Sequence, residues 1–193
     1  PTYGTARFAS ALTVDDFLKH HHVITVDADV YAEGGALADA VTALADAEEV
    51  MRLIDRVPGV EYAALVPNVR GAQRALACQG DELNLVMSAS AAHNQANLRM
   101  SMEQSLAQFA DIVTTVSGQA RINASLSTAF GCPFDGDVPA ARVLELVQRF
   151  VDLGIPRVAL CDTTGMANPA QVRRLFSAVI ERWPAVTFTA HFH

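Results

Sequence analysis

What this chain lacks narrows its function first. It has 14 lysines and arginines against 21 aspartates and glutamates, a net charge of −7. That deficit of positive charge argues against a nucleic-acid or anionic-membrane surface. No apolar run approaches the length of a membrane span, and the N-terminus lacks a basic segment followed by an apolar one. A soluble, cytoplasmic protein is expected. Cysteine is scarce: Cys78, Cys132 and Cys161 are an odd number at scattered spacings. They form neither a disulfide framework nor a zinc-finger spacing, and each reads as a small buried hydrophobe. No Gly-x-Gly-x-x-Gly follows a candidate strand and no phosphate-loop Gly-Lys-Ser/Thr occurs, so nucleotide-binding sheets lose support.

What is present is a regular alternation. Half of the residues are apolar, and 193 residues suffice for one domain with a core. The first 40 residues are the least regular. Thr13 reads as the cap of a helical turn, followed by His20, His21 and His22 as exposed polar residues at its end. Val23–Asp27 reads as a short strand, with Asp27 and Asp29 as turn residues or candidate ligands. From Ala36 the pattern settles. Helices are expected over Ala36–Ile54, Val69–Gln79, Met102–Ser117, Pro139–Leu153 and Asn168–Trp183. Strands are expected over Glu61–Val66, Glu82–Met87, Arg121–Ser127, Arg157–Cys161 and from Val186 onward. Ser88–Leu98 reads as a polar loop, and Phe130–Gly136 as a loop of turn formers.

Strands alternating with helices imply parallel pairing with helical crossovers. An open doubly wound sheet and part of a TIM barrel both fit. Polar residues gather just after strand ends: Asn68, Ser88 with Ser90, Ser127, Asp162, and His191 with His193. In a β/α barrel those positions share the C-terminal face, where such enzymes keep their sites. His191 and His193 are two residues apart on a strand, so they face the same way and suit one divalent ion.

Six stretches occur in an order that resembles one family. They are Val66-Pro-Asn-Val-Arg-Gly71, the run from Ser88-Ala-Ser-Ala-Ala-His to Asn97, Met102-Glu-Gln-Ser-Leu-Ala-Gln-Phe109, Gly131-Cys-Pro-Phe-Asp-Gly136, Asp162-Thr-Thr-Gly165 and His191-Phe-His193. Together they are similar to the 3-hydroxy-3-methylglutaryl-CoA lyases, metal-dependent TIM-barrel enzymes of the pyruvate carboxyltransferase-like group. The resemblance runs from about Leu44 to His193. It implies an incomplete TIM (β/α)8 barrel of class α/β, with residues 1–40 divergent and residues 41–193 supplying barrel strands three to seven. It implies cleavage of 3-hydroxy-3-methylglutaryl-CoA, or a similar 3-hydroxyacyl-CoA, to acetyl-CoA and acetoacetate in leucine or related acyl-CoA catabolism. The alternative is a catalytically inactive truncated homologue or a partner segment of such a lyase.

By the same resemblance, His191 and His193 are metal ligands for Mg2+ or Mn2+. Asp162 is the conserved aspartate of the catalytic site, against a plain turn or cap role. Asn68 and Ser88 line the substrate pocket, against structural turn roles. Partners are an acyl-CoA substrate and further copies of the chain in a homo-oligomer, with no nucleic acid and no membrane. Four features depart from the family, one being that its second strand, with a glutamate and a serine-rich loop after it, is not recognisable here. No Arg-Asp pair stands at the first strand, and Asn123 replaces a usual arginine. The catalytic cysteine loop and a final asparagine ligand would lie beyond His193. A closed barrel takes about 250 residues, so a truncated copy is expected.

Overall fold

The computed structural model describes residues 21–23 and 47–193. Six strands form one parallel sheet in sequential order: β1 (His21–Val23), β2 (Glu61–Leu65), β3 (Glu82–Ser88), β4 (Arg121–Ser127), β5 (Arg157–Asp162) and β6 (Thr187–Phe192). Between them run α1 (Ala47–Leu53), α2 (Val69–Ala77), α3 (Ala91–Leu98), α4 (Met102–Val116), α5 (Ala140–Asp152) and α6 (Pro169–Arg182). Sequential order with helical crossovers is barrel topology, not the switch-point order of a doubly wound sheet. The fold is an incomplete TIM barrel.

Strand alternation explains how the sheet divides. Leu83, Leu85 and Met87 of β3, Ile122, Ala124 and Leu126 of β4, and Val158 and Leu160 of β5 point outward. They join one core with Phe109, Ile112 and Val116 of α4, Val143, Val147 and Phe150 of α5, and Leu175 and Val179 of α6. The helices form because their apolar residues recur on one stripe facing that core. Local chemistry fixes their starts. Ser101 and Asn168 build capping boxes with Gln104 and Gln171, and Pro169 occupies the first position of α6.

The inward face is polar, and its ion pairs show the curl. Arg157 of β5 reaches Glu82 of β3 at 2.6 Å and Glu61 of β2 at 3.1 Å, and Arg121 of β4 reaches Glu61 at 2.7 Å. In a flat sheet β5 and β2 would stand about 14 Å apart. One arginine bridges them because the sheet bends around its inward face.

Two expectations are corrected. Ser88–Leu98 is not a loop: Ala91–Leu98 is helix α3, with Ser90 as its cap. His21 and His22 do not end a helix; they lie in strand β1, in register with Glu61 and Tyr62. Pairing with β2 sets that strand, which local propensity had placed at Val23–Asp27. The turn at Thr13, the residues Asp27 and Asp29, the start of the helix expected from Ala36, and the boundary after residue 40 lie outside the described residues.

Candidate active site at the C-terminal rim

The strand registers stack inward-facing residues in rows. The rim row holds Ser88 opposite Ser127 and Cys161 opposite His191. Leu126 pairs with Leu160, so Ser127 and Cys161 stand at one height. Below it come Val86, Ser125, Ala159 and Thr189, then Asn84, Asn123, Arg157 and Thr187. Glu82 and Arg121 form the next row down. The chemistry therefore grades from imidazole and hydroxyl at the rim, through amides, to a charged floor.

His191 and His193 are brought together. Their ring centroids lie 4.9 Å apart in a stacked arrangement, and both residues are exposed. Partial burial, then the neighbouring His193 ring, holds the His191 imidazole below its ordinary value of 6.5. Both effects favour the neutral ring, the form that can ligate a metal.

Asp162 follows the strand's alternation to the face opposite Cys161 and His191. Its side chain is buried, and Oδ1 accepts from the backbone N–H of Met166 at 2.8 Å and of Ala167 at 3.1 Å. It thereby fixes the turn that leads into α6. Met166 packs on the neighbouring loop: a Cβ on Gly131 would come within 3.0 Å of Met166 side-chain atoms. Asn68 is exposed and caps α2, accepting from Gly71 N–H at 2.9 Å.

Ser88 is fully buried at the end of β3, and its Oγ lies 2.6 Å from Nδ1 of His93. Three residues of this corner were not found from the sequence. His93 is half-buried, and desolvation lowers its affinity for a proton. Asn94 is fully buried, accepting from Ser88 N–H and donating to Met100 O and Ser105 Oγ. Asp135 accepts from Ser90 Oγ at 2.5 Å, tying the Cys132–Gly136 loop to the start of α3. The available signal was Ser90 followed by two alanines, a helix start.

The family model described as HMGL-like matches residues 21–193. The chain belongs to that family. Among HMGL-like relatives, a hydroxymethylglutaryl-CoA lyase of Bacillus subtilis is 42% identical over 158 residues, covering 79% of this chain and 52% of that protein. An (R)-citramalyl-CoA lyase of Chloroflexus aurantiacus is 38% identical over 133 residues, covering 68% of this chain and 42% of that one. A solved HMG-CoA lyase from Acinetobacter baumannii, in complex with coenzyme A and 3-methylmalate, superposes with a TM-score of 0.76 at 44% identity, covering 80% of this chain and 51% of that one. The chain spans about half the length of the relatives it matches. The ordered motifs thus identified the family, and the chain is hydroxymethylglutaryl-CoA lyase-like.

The donors for a divalent ion can be tested against the structure. Two imidazoles on one strand face fit half of a coordination set. A hard ion needs oxygen ligands as well. Among the described residues no group of three or more histidine, cysteine, aspartate or glutamate side chains is placed to hold a metal. The described residues alone do not build the whole site. Among them, too, no helix is long and apolar enough to cross a membrane.

Proposed function

We propose that this chain is the histidine-bearing part of a metal-dependent carbon–carbon lyase. Its substrate is 3-hydroxy-3-methylglutaryl-CoA or a similar 3-hydroxyacyl-CoA, split to acetyl-CoA and acetoacetate. The observation that carries this reading is the stacked His191–His193 pair at the barrel rim, in a chain of the HMGL-like family. Cleavage between C2 and C3 requires loss of the 3-hydroxyl proton and leaves negative charge on a thioester enolate oxygen. A bound Mg2+ or Mn2+ would supply Lewis-acid stabilisation of such charge.

In this reading His191 and His193 hold the ion as neutral ligands. Asp162 is a positioning residue, fixing the turn beside the rim through Met166 and Ala167. Ser88 acts through His93, which it orients at the rim, and Asn68 shapes the rim by starting α2. The partner is an acyl-CoA, and the setting is cytoplasmic breakdown of leucine or related acyl groups. The outer edge of β6 has no partner strand among the described residues. Further copies of the chain in a homo-oligomer belong to the same reading.

Manganese calorimetry on the wild type and on the double variant His191→Ala/His193→Ala, with acetoacetate release measured alongside, tests the reading. One bound ion and measurable release are expected, both lost in the double variant. A second reading is a catalytically inactive homologue or partner segment. The lack of a third ligand among the described residues favours it. Absence of both ion binding and turnover in the wild type would select it.

A further inference from the structure

Ser88 and His93 form a pair whose protons can be placed. Ser88 is fully buried at the end of β3, and among the described residues its Oγ has one partner, His93 Nδ1 at 2.6 Å. A buried hydroxyl carries a proton that needs an acceptor. Were Nδ1 protonated, it would donate to Ser88 Oγ, and the hydroxyl proton would be left without one. Ser88 Oγ–H therefore donates to Nδ1, and the neutral ring carries its proton on Nε2. Turning the ring over would set a carbon 2.6 Å from that oxygen, well inside van der Waals contact.

The surrounding corner holds this arrangement. Asn94 Oδ1 accepts from Ser88 N–H, and Ser90 Oγ accepts from His93 N–H, both at 3.0 Å. The strand end and the helix start are thus tied together at the two residues concerned. Asp135 is engaged by Ser90 Oγ at 2.5 Å, and His93 makes no ion pair among the described residues. Desolvation holds the ring below its ordinary value of 6.5, so it is neutral at about pH 7. The two nitrogens of an imidazole point apart, and Nε2–H is directed away from the buried Ser88. It meets no acceptor among the described residues. Beside the half-buried ring stands Phe134 of the loop after β4, with centroids 6.0 Å apart. A neutral N–H thus stands at the C-terminal face with an aromatic ring next to it.

We propose that His93 is a catalytic hydrogen-bond donor of the rim site, its Nε2–H meeting the thioester carbonyl oxygen of the acyl-CoA. This inference rests on the lyase reading, which brings a 3-hydroxyacyl thioester to the His191 row. When the C2–C3 bond breaks, negative charge collects on that oxygen, and a fixed N–H opposite it stabilises the charge. In this tautomer neither nitrogen has a lone pair free for the substrate. His93 therefore donates and does not take the 3-hydroxyl proton. Register sets Ser88 three strands from His191 in the rim row, about 14 Å along the sheet. Two imidazole side chains, with the three-carbon unit of a 3-hydroxy thioester between them, span that distance.

Two measurements on the full chain test this. Long-range proton–nitrogen NMR on protein with isotope-labelled histidine reads the tautomer, and His93→Phe assigns the signal by its loss. A neutral ring protonated on Nε2 is expected, and Ser88→Ala should let the Nδ1-protonated form appear. Competitive binding in the presence of manganese then compares acetyl-CoA with S-ethyl-CoA, the thioether that lacks the carbonyl. Acetyl-CoA is expected to bind about tenfold more tightly, about 1.4 kcal/mol. In His93→Phe, which keeps a ring against Phe134, that ratio should fall to about one. If the variant does not fold, the wild-type tautomer and ratio decide. A proton on Nδ1, equal affinity for the two compounds, or a ratio that survives His93→Phe overturns the donor. If 3-hydroxy-3-methylglutaryl-CoA is still cleaved in that case, the donor fails and the lyase reading stands. If neither CoA compound binds, both fail.

Discussion

Asn94 uses nearly all of its hydrogen-bonding capacity inside the protein. Its carbonyl holds the N–H of Ser88, and its amide nitrogen reaches Met100 O and Ser105 Oγ at 2.9 Å each. The side chain is fully buried, so water cannot replace those bonds. Asn94→Ala would strand a backbone N–H, a carbonyl and a hydroxyl at the junction of β3, α3 and α4. A loss of about 2–4 kcal/mol is expected, read as a lower urea midpoint at unchanged slope. A variant within 0.5 kcal/mol of wild type would mean the corner reorganises around water. The residue was invisible in the sequence for a physical reason. An asparagine in a polar stretch looks like a turn former, and only the tertiary partners at Met100 and Ser105 make it a core residue. His191 and His193 were legible because strand alternation is a local rule. The burial of Asp162 was not, because the i+4 and i+5 backbone bonds that occupy its Oδ1 depend on how the turn after β5 closes.

At the scale of elements, the strands and long helices were readable because their hydrophobic periods are strong. α3 was not. It is 8 residues long, with alanine, asparagine and glutamine on most of its surface and Asn94 as its buried residue. An apolar stripe, the usual helix signal, is missing, and caps at both ends define it instead. Ser90 accepts from His93 N–H at the start. At the end Arg99 adopts φ 56, the left-handed conformation that side chains other than glycine's disfavour. Arg99 is exposed and its side chain makes no hydrogen bond or ion pair among the described residues. Arg99→Gly should therefore relieve strain without losing a contact, raising stability by about 0.5–1 kcal/mol. Thermal unfolding checks it. An unchanged or lower melting temperature would show that unfolded-state entropy outweighs the relief.

For the whole molecule, the question is what keeps the six described strands curled. The helices pack on its outer face, and backbone pairing sets only neighbouring strands. The floor network acts between strands that are not neighbours. Arg157 joins β5 to β3 and β2, and hydrogen bonding to Glu82, then to Glu61, raises the hold of its guanidinium on its proton. The sequence could not reveal this, since Glu61, Glu82, Arg121 and Arg157 look like charged strand starts until the curl brings them together. Their side chains retain between 14% and 46% exposure, so each pair is screened and weaker than a fully buried one. Removing only the arginine is a different matter, because Glu61 and Glu82 then lose their shared counter-charge. Arg157→Met is expected to cost about 1–3 kcal/mol, and the double variant Arg157→Met/Glu82→Gln should recover part of that loss. Urea unfolding of the wild type, the two single variants and the double variant closes the cycle. A coupling between positions 82 and 157 near zero would mean that the curl is held by outer-face packing alone. A clear coupling would mean that charge pairing inside the curl helps to hold the strands bearing the amides and imidazoles at their observed spacing.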